Sequence, residues 1–481
     1  MVISMKSEVN YVNMKEFIRL IKITGIYFLG TVGTKLISFL LLPLYTAYLL
    51  PSQYGRYDVN ITYASLFSSV CFLDIWTGIM KYMFEDKEEE RQFSVVYCGI
   101  MIFSTSAVLY TLLMAGFGFL KNIEYLPGVT AYGFFLCLQN LYGYLARAYG
   151  KNILFIITGL VSTTCNAALN ILLLVVLGWD YKALYVSFGA GILAQCVILE
   201  TKLQVIRHFR KRYLDKDTMK RLLRFSLPLC INSLCYWLLT GYNRVIIERE
   251  IDSTANGYYA VASKFGGILI LVSSCFSMAW QELAYSKYGK DKDTGRFYSY
   301  ATSVYIKVLF CGFFVMLPVI YLMFPYLVDE GYEAAKPMIP VNMLATLAGI
   351  LFIFLANIIG TYKKNNVVFL STLAASIVNM AVVHLLIEKI GAEAANVALL
   401  AGYVVSDGIR MYIIGREIEY HPDWKMFKYL LPFAGVVLLG FWKGQKEDNL
   451  VLVFVTIIAS IWIMWRDIEP VVLKVRHKLI F

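Results

Sequence analysis

Apolar blocks of about 20 residues recur along the whole chain, and each is long enough to cross a hydrocarbon core roughly 30 Å thick. Charged residues are only 16% of the total, against about 25% in soluble domains, and they crowd into the short gaps. With 59% hydrophobic residues and a mean hydropathy of +0.63, a soluble globular fold is excluded. A transmembrane barrel is excluded as well, because stretches such as 153–177 are apolar on every face. We therefore predict an all-α polytopic membrane protein.

The blocks and gaps predict about fourteen transmembrane helices, which we number as spans 1 to 14 in chain order. No gap between them is long enough to fold as a separate domain. The spans cover residues 17–48, 57–80, 93–120, 125–146, 152–177, 183–203, 222–247, 255–283, 300–324, 338–362, 367–386, 394–414, 426–442 and 450–465.

The basic residues are distributed unevenly between the two ends of these spans. Of the 44 lysines and arginines, 32 fall in the segments that include both termini and every second gap, and nine fall in the other gaps. Because positively charged loops are retained in the cytoplasm, we predict that both termini and the loop at 202–224 are cytoplasmic. This orientation accounts for nearly all of the net charge of +11, so no nucleic-acid partner is needed to explain it.

Two internal similarities indicate that the chain contains a duplicated six-span unit. Shifts of 202 and 213 residues align, without gaps, 19–63 with 221–265 and 151–189 with 364–402. The first shift places Gly55 on Gly257. Because six is an even number, both halves keep the same orientation, and a pseudo-two-fold axis along the membrane normal relates them. Such a repeat places a cavity between the two bundles.

The repeat predicts two six-helix bundles in parallel repeat, followed by two C-terminal helices without a counterpart. The predicted parts are an N-terminal bundle at 1–206, a cytoplasmic basic linker at 207–221, a C-terminal bundle at 222–415, and two additional spans with a cytoplasmic tail at 416–481.

Three lysines lie deep inside predicted spans, away from the span ends, where a charge is costly and normally faces a partner or a wet cavity. Lys35 lies about 20 Å into span 1, counted from Lys22, and Lys264 lies roughly 14 Å into span 8 from the opposite side. These depths agree within one or two helical turns, so both ammonium groups could project into the central cavity and form a cationic site. Each could instead snorkel or pair with an acid. For Lys307, about 10 Å from the end of span 9, we favour snorkelling or pairing.

Four other charged residues have two open interpretations. Asp74 and Lys81 lie seven residues apart, two turns along one face of span 2, so Asp74 could be a proton or cation site or the structural partner of a lysine. Arg56 and Arg244 lie at span ends, where a guanidinium could guide an anionic headgroup or only anchor a helix.

Span 12 carries a further acid and base. Asp407 and Arg410 are three residues apart, the spacing of an intrahelical ion pair, and we interpret them as a structural pair.

No motif of catalytic chemistry is found in the sequence. It contains no GxSxG, no phosphate-binding loop and no HExxH, and its four histidines are not clustered. We therefore predict a transporter rather than an enzyme, without metal or cofactor. With no ATPase motif, uphill transport would draw on an ion gradient or on the gradient of the substrate itself.

Two stretches carry a resemblance to a known family. Residues 41–46 (LLPLYT) and 50–57 (LPSQYGRY) are similar to the exit from span 1 and the entry to span 2 in polysaccharide-type flippases of the multidrug, oligosaccharidyl-lipid and polysaccharide exporter superfamily. Asn166 and Asn170, followed by Gly178, resemble the span 5 signature of the same family. In length, span number and duplication, the resemblance covers the whole chain.

The resemblance implies an alternating-access carrier in the bacterial cytoplasmic membrane. Its substrate would be an undecaprenyl-pyrophosphate-linked oligosaccharide, flipped to the outer leaflet for the synthesis of O-antigen, capsule or exopolysaccharide. Family members line the cavity with cationic residues from spans 1, 2, 7 and 8, and the predicted substrate-binding residues here are Lys35, Lys264, Arg56 and Arg244. Asp74 and Lys81 are candidate ion-coupling or charge-partner residues. The implied partners are the lipid-linked oligosaccharide, membrane lipid, and a polysaccharide polymerase with its chain-length regulator.

Two alternatives belong to other functional classes. An ion-coupled multidrug exporter of the same fold would need an acidic cavity for its cations, whereas the deep charges of the proposed central cavity are two lysines. A membrane polysaccharide polymerase usually carries a large outward loop, but the longest outward gaps here, at 249–255 and 325–337, are short.

The charge asymmetry generates a prediction about topology. After replacement of the native thiols, a cysteine introduced at Lys211 should be labelled by an impermeant thiol reagent only in broken cells, because the loop at 202–224 is expected on the cytoplasmic side. A cysteine at Lys336, in a gap on the other side, serves as the control and should be labelled in intact cells. The reverse pattern would refute the orientation.

Overall fold

The computed structural model describes residues 30, 32–86, 88–207, 210–287, 294–362 and 364–480. Within these ranges the chain is helical and contains no strand. The helices, in chain order, are Val32–Tyr48, Pro51–Cys71, Ile75–Glu85, Glu89–Lys121, Leu126–Ala148, Asn152–Asn170 continued by a π-helical segment Ile171–Val176, Lys182–Leu203, Lys216–Thr240, Tyr242–Glu250, Ser253–Lys287, Thr294–Leu327, Ile339–Thr361 preceded by a 3-10 segment Glu330–Met338, Asn365–Ile390, Glu393–Glu417, Phe427–Lys443 and Lys446–Ile480.

In this part of the chain, each of the fourteen predicted spans corresponds to one helix or to two helices separated by a short break. Within the described ranges, ten helices are long and apolar enough to cross a membrane on their own, and the bent pair Pro51–Cys71 and Ile75–Glu85 makes an eleventh if it is counted as one span. The predicted all-α polytopic fold is confirmed. The predicted start of span 1, at 17–29, lies outside the described residues.

Span 2 is broken where the sequence predicts a continuous helix. Leu73 and Asp74 have positive φ angles of 55° and 53°, a conformation that is costly for residues other than glycine. The helices on either side meet at an angle of 42°. Asp74 therefore precedes the helix Ile75–Glu85 that carries Lys81, instead of lying on one face of the same helix.

The C-terminal spans 13 and 14 pack against span 9. Lys307 Nζ in span 9 donates a hydrogen bond to Asp467 Oδ2 in span 14 at 2.8 Å, and both side chains are mostly buried. Near the other end of span 9, the Tyr321 hydroxyl donates to the carbonyl oxygen of Gly444 at 3.0 Å. Lys307 thus pairs with an acid, which is one of the two interpretations that we favoured from the sequence.

Spans 1–6 pack mainly with one another, as do spans 7–12, and the two bundles meet where span 2 crosses span 8. A Cβ on Gly55 would lie 1.8 Å from the Ser253 carbonyl oxygen, and a Cβ on Gly257 would lie 2.0 Å from the Pro51 carbonyl oxygen. Both pairs obey the sequence shift of 202 residues, since Pro51 aligns with Ser253 and Gly55 with Gly257. Equivalent residues therefore meet reciprocally, as a pseudo-two-fold axis requires.

This crossing generates a prediction about stability. Gly257→Ala should lower the free energy of unfolding by about 1–3 kcal/mol, because the added methyl group meets backbone rather than a movable side chain. Gly267→Ala is the matched control in the same helix, since no atom lies within 4 Å of its would-be Cβ. The measurement is the Tm of each purified variant. Equal Tm values for the two variants would contradict the close approach of the backbones.

A second prediction concerns the attachment of spans 13 and 14. Lys307→Met should reduce the stability by about 3 kcal/mol, because it leaves a mostly buried carboxylate without its partner. Adding Asp467→Leu removes the second charge and should restore most of the lost stability. Lys428→Met, at an exposed lysine of span 13, is the control and should leave the Tm unchanged. A double variant no more stable than Lys307→Met would refute a pairing role for Lys307.

Candidate substrate site

Lys264 lies near the interface between the two bundles. It is part of the helix of span 8, and its side chain is exposed. Its ammonium group interacts electrostatically with Asp58 in span 2 and Arg244 in span 7. Spans from both bundles therefore contribute charges to one region, as the predicted central site requires.

Arg244 and Asp58 form an ion pair between the bundles. Arg244 Nε donates to Asp58 Oδ2 at 2.7 Å, and the side chains are 22% and 14% exposed. Arg244 also donates from Nη1 to the Thr240 carbonyl oxygen at 2.9 Å, and its guanidinium lies over the ring of Tyr259 at 5.3 Å from the centroid. This arginine has a resident carboxylate partner and a fixed orientation.

Asp58 is held in place from the opposite bundle as well. The amide of Asn256, in span 8, donates to the Gly55 carbonyl oxygen at 2.9 Å and to Asp58 Oδ2 at 3.4 Å. Sequence reasoning missed Asp58, because the predicted start of span 2 at residue 57 placed it at the membrane surface. The helix begins at Pro51, so Asp58 lies about 10 Å inside it. The Leu50-Pro51 start signal could have revealed this depth, since proline is favoured in the first turn of a helix.

Lys35 approaches the same region from span 1. Its side chain is exposed, and Phe39, one turn later on the same face, contacts Phe265 of span 8 with ring centroids 5.9 Å apart. The two helices run in opposite directions, so Lys35 and Lys264 lie about 7.5 Å apart along the helix axes. Among the described residues, neither ammonium has a hydrogen-bond or ion-pair partner.

The structure does not bring Arg56 to this region. Its Nη1 pairs with Glu124 Oε2 at 2.5 Å, where both side chains are about half exposed. Hydrogen bonding by Tyr181 and Arg56 lowers the pKa of Glu124 below its ordinary value. Arg56 therefore lies about one and a half turns into span 2, in a half-exposed ion pair.

Asp74 and Lys81 are not brought together either. Lys81 pairs with Glu85 at 3.7 Å, and its ammonium lies 4.2 Å from the centre of the Phe225 ring in span 7. Asp74 is half-buried at the break in span 2. Among the described residues, no hydrogen bond or ion pair links Asp74 or Lys81 to Lys264.

Two cavities flank the central charges, and both have polar and apolar wall groups. The first, of about 310 Å³ in the N-terminal bundle, is lined by the polar side chains Thr34, Gln139, Asn140, Tyr144, Arg147, Thr163 and Gln195 together with Phe155 and Ile156. The second, of about 460 Å³ in the C-terminal bundle, has a mainly apolar wall that includes Ile270, Ile350, Ile353 and Leu399, into which hydroxyl groups such as those of Thr240, Ser263, Ser273, Ser274 and Thr346 are set. Amides and hydroxyls both donate and accept hydrogen bonds, so the polar groups of these walls could bind ligand hydroxyls. Within the described ranges, no group of three or more potential metal-binding side chains occurs.

The arrangement has a definite electrostatic character. Lys35, Lys264 and Arg244 supply three positive charges, and Asp58, which is paired with Arg244, supplies one negative charge. The junction of the two bundles therefore holds two ammonium groups beside an arginine–aspartate pair, with a cavity on either side.

Comparison with known proteins agrees with this architecture. A family model described as polysaccharide biosynthesis protein matches residues 20–280, more than half of the chain. Among curated protein sequences, none matches the chain at a significant level.

Solved structures share the fold at low sequence identity. The lipid II flippase MurJ in an inward closed conformation superposes with a TM-score of 0.71 at 13% identity, covering 93% of this chain and 100% of that chain. An inward-facing multidrug resistance MATE family transporter of the MOP superfamily has a TM-score of 0.65 at 12% identity, covering 80% of this chain and 94% of its own. An outward-facing MATE structure has a TM-score of 0.56 at 12% identity, with coverages of 83% and 95%.

The agreement of family model, span number and repeat architecture establishes what kind of protein this is. The chain is a multi-pass membrane protein that belongs to the polysaccharide biosynthesis protein family and has the fold shared by flippases and transporters of the multidrug, oligosaccharidyl-lipid and polysaccharide exporter superfamily.

Proposed function

We propose that the protein is a flippase that moves undecaprenyl-pyrophosphate-linked oligosaccharides across the bacterial cytoplasmic membrane by alternating access. Membership in a polysaccharide biosynthesis family supports a carbohydrate substrate. Likeness to a structure named as a lipid II flippase supports a lipid-linked one. The flipped unit would serve surface polysaccharide assembly, with a polymerase and a chain-length regulator acting on it afterwards.

The observation that carries the proposal is the pair of unpartnered ammonium groups at the bundle interface. Lys35 and Lys264 belong to opposite bundles, and no described acid neutralises either of them by an ion pair. A charge in a membrane protein interior is costly to maintain without a partner or a wet cavity. A pyrophosphate diester carries two negative charges, which the two ammonium groups could balance while Arg244 stays paired with Asp58. The lysines would therefore hold the one group that all lipid-linked repeat units share.

The Asp58–Arg244 pair gives the site a way to respond to its substrate. Asp58 occupies, as a resident carboxylate, the place beside Arg244 that a phosphate oxygen could also take. Because a charge-assisted bond to phosphate is at least as strong as one to carboxylate, a bound pyrophosphate would compete with Asp58 for the guanidinium. Loosening this bond would weaken a link between the bundles, and the link must yield if the cavity is to open on the other side.

The rest of the substrate would occupy the remaining space. Sugars would lie against the amides and hydroxyls of the two cavities. The polyprenyl chain would remain in lipid, since its transfer from hydrocarbon into a partly polar cavity would be unfavourable.

A multidrug exporter is the second candidate, because MATE transporters share the fold. An organic cation would meet the ammonium groups of Lys35 and Lys264, whereas Asp58 is already paired with Arg244. The electrostatics therefore favour an anionic substrate.

The proposal predicts a requirement for positive charge at both lysines. Lys35→Gln and Lys264→Gln should each slow transport roughly ten- to hundred-fold, since one ammonium–phosphate contact contributes about 1.5–3 kcal/mol. Arginine at either position should restore more transport than glutamine, because the charge matters more than the side-chain length. The measurement is the flipping of a labelled lipid-linked oligosaccharide in vesicles at matched protein content.

Lys389→Gln is the matched control, at an exposed lysine near the end of span 11, and should transport at the wild-type rate. Normal flipping by the Lys35→Gln, Lys264→Gln double variant would leave these lysines as structural residues and remove the basis of the proposal.

A further inference from the structure

Span 12 contains a carboxyl group that the substrate site does not use. Asp407 is only 5% exposed, and its Oδ1 atom is buried without a hydrogen-bond partner. The residue lies about 21 Å from the start of the helix at Glu393 and about 15 Å from its end at Glu417. It is therefore deep in the membrane.

The neighbouring Arg410 does not pair with this carboxyl. It is fully buried and donates to the Ser371 hydroxyl at 2.9 Å and the Thr372 hydroxyl at 3.0 Å. It also donates to the carbonyl oxygens of Val368 and Phe352. Among the described contacts, no Asp407–Arg410 ion pair occurs within 4 Å. The intrahelical ion pair expected from the sequence spacing is therefore wrong, because spans 10 and 11 supply enough oxygen atoms to hold the guanidinium elsewhere.

The other titratable groups around Asp407 are tyrosines. Tyr403 lies one turn earlier in span 12 and interacts with the hydroxyl of Tyr236 in span 7. Tyr420, whose hydroxyl donates to the Thr302 hydroxyl at 3.0 Å, also lies within electrostatic range. The helix Ile339–Thr361 of span 10 has no titratable side chain, although Tyr362 directly follows it, and those of the helix Asn365–Ile390 of span 11 are near its far end: His384, Glu388 and Lys389. Apart from Arg410, no described neighbour offers Asp407 a positive charge.

An ionised carboxylate in this position would have lost its water without gaining donors or a cation at bonding distance. A protonated carboxyl avoids that cost. We propose that Asp407 is a proton-binding site, occupied in this conformation, that couples transport to a proton gradient. The coupling part of the proposal rests on the proposed transport function, whereas the bound proton does not.

The neighbouring residues supply a release step. Arg410 is three residues from Asp407, so a small shift of span 12 against spans 10 and 11 would exchange the hydroxyl partners of the guanidinium for the carboxylate. Asp407 would then give up its proton to water in the cavity that Tyr403 lines and become ionised beside Arg410. Tyr403 lines the same cavity as Arg244, so this rearrangement has a contiguous path to the charges at the bundle interface.

The first experiment measures the bound proton without any transport assay. In infrared spectra of the purified protein at neutral pH, the wild type should show the carbonyl stretch of a protonated carboxylic acid, and Asp407→Asn should lack that contribution. Identical spectra in this region for the two proteins would overturn the proposal. A Ser371→Ala, Thr372→Val double variant frees Arg410 to approach Asp407 and should also lose the band. Retention of the full band in the double variant would overturn the release step.

The second experiment measures the coupling. Flipping of a labelled lipid-linked oligosaccharide in vesicles is recorded with and without an imposed pH gradient, and the ratio of the two rates is compared. The ratio should fall to about one in Asp407→Asn and stay at the wild-type value in Asp217→Asn, an exposed aspartate outside the spans. A wild-type ratio in Asp407→Asn, or acceleration of the wild type by a sodium gradient alone, would overturn proton coupling at this residue. If no oligosaccharide is flipped at all, the proposed function fails, while the infrared band still decides whether Asp407 holds a proton.

Discussion

The cost of a charge in the bilayer governs the arrangement of the described spans. Most buried charged side chains have a bonding partner. Lys307 forms an ion pair with Asp467, Arg244 forms one with Asp58, and Arg410 donates hydrogen bonds to two hydroxyls and two carbonyl groups. These contacts join different spans, so they also fix how the helices pack. Against this background, a charge without a described partner indicates a ligand that is not part of the chain.

The charged residues without a described bonding partner lie at two separate places, and they are basic at one place and acidic at the other. Lys35 and Lys264 are basic, exposed and close to the interface between the bundles, where a large anionic substrate would have access. Asp407 is acidic, almost fully buried and inside the C-terminal bundle, where only a proton or another small cation could enter. Size and access thus separate the proposed substrate site from the proposed coupling site, and Arg244 and Tyr403, one near each, line the same cavity.

The reciprocal contact of Gly55 and Gly257 explains why the central charges meet. The absence of side chains lets the backbones of spans 2 and 8 touch, which brings Asp58 into reach of Asn256 and Arg244. The fold alone does not define a substrate, since a lipid II flippase and multidrug transporters share it with this chain. The substrate class has to be argued from the charges placed at this crossing.

The sequence by itself determined the helical membrane architecture, the positions of the spans and the duplication, and it predicted the depth of the two central lysines. Hydrophobicity, charge and residue spacing are properties along the chain, and a helix of fixed rise converts them directly into depth. Only the tertiary structure decided that Arg244 pairs with Asp58, that Arg56 turns to Glu124, that span 2 breaks before Ile75, and that Arg410 leaves Asp407 without a partner. Partner choice depends on how each helix is rotated about its axis and which neighbour it meets, and no single span encodes that information.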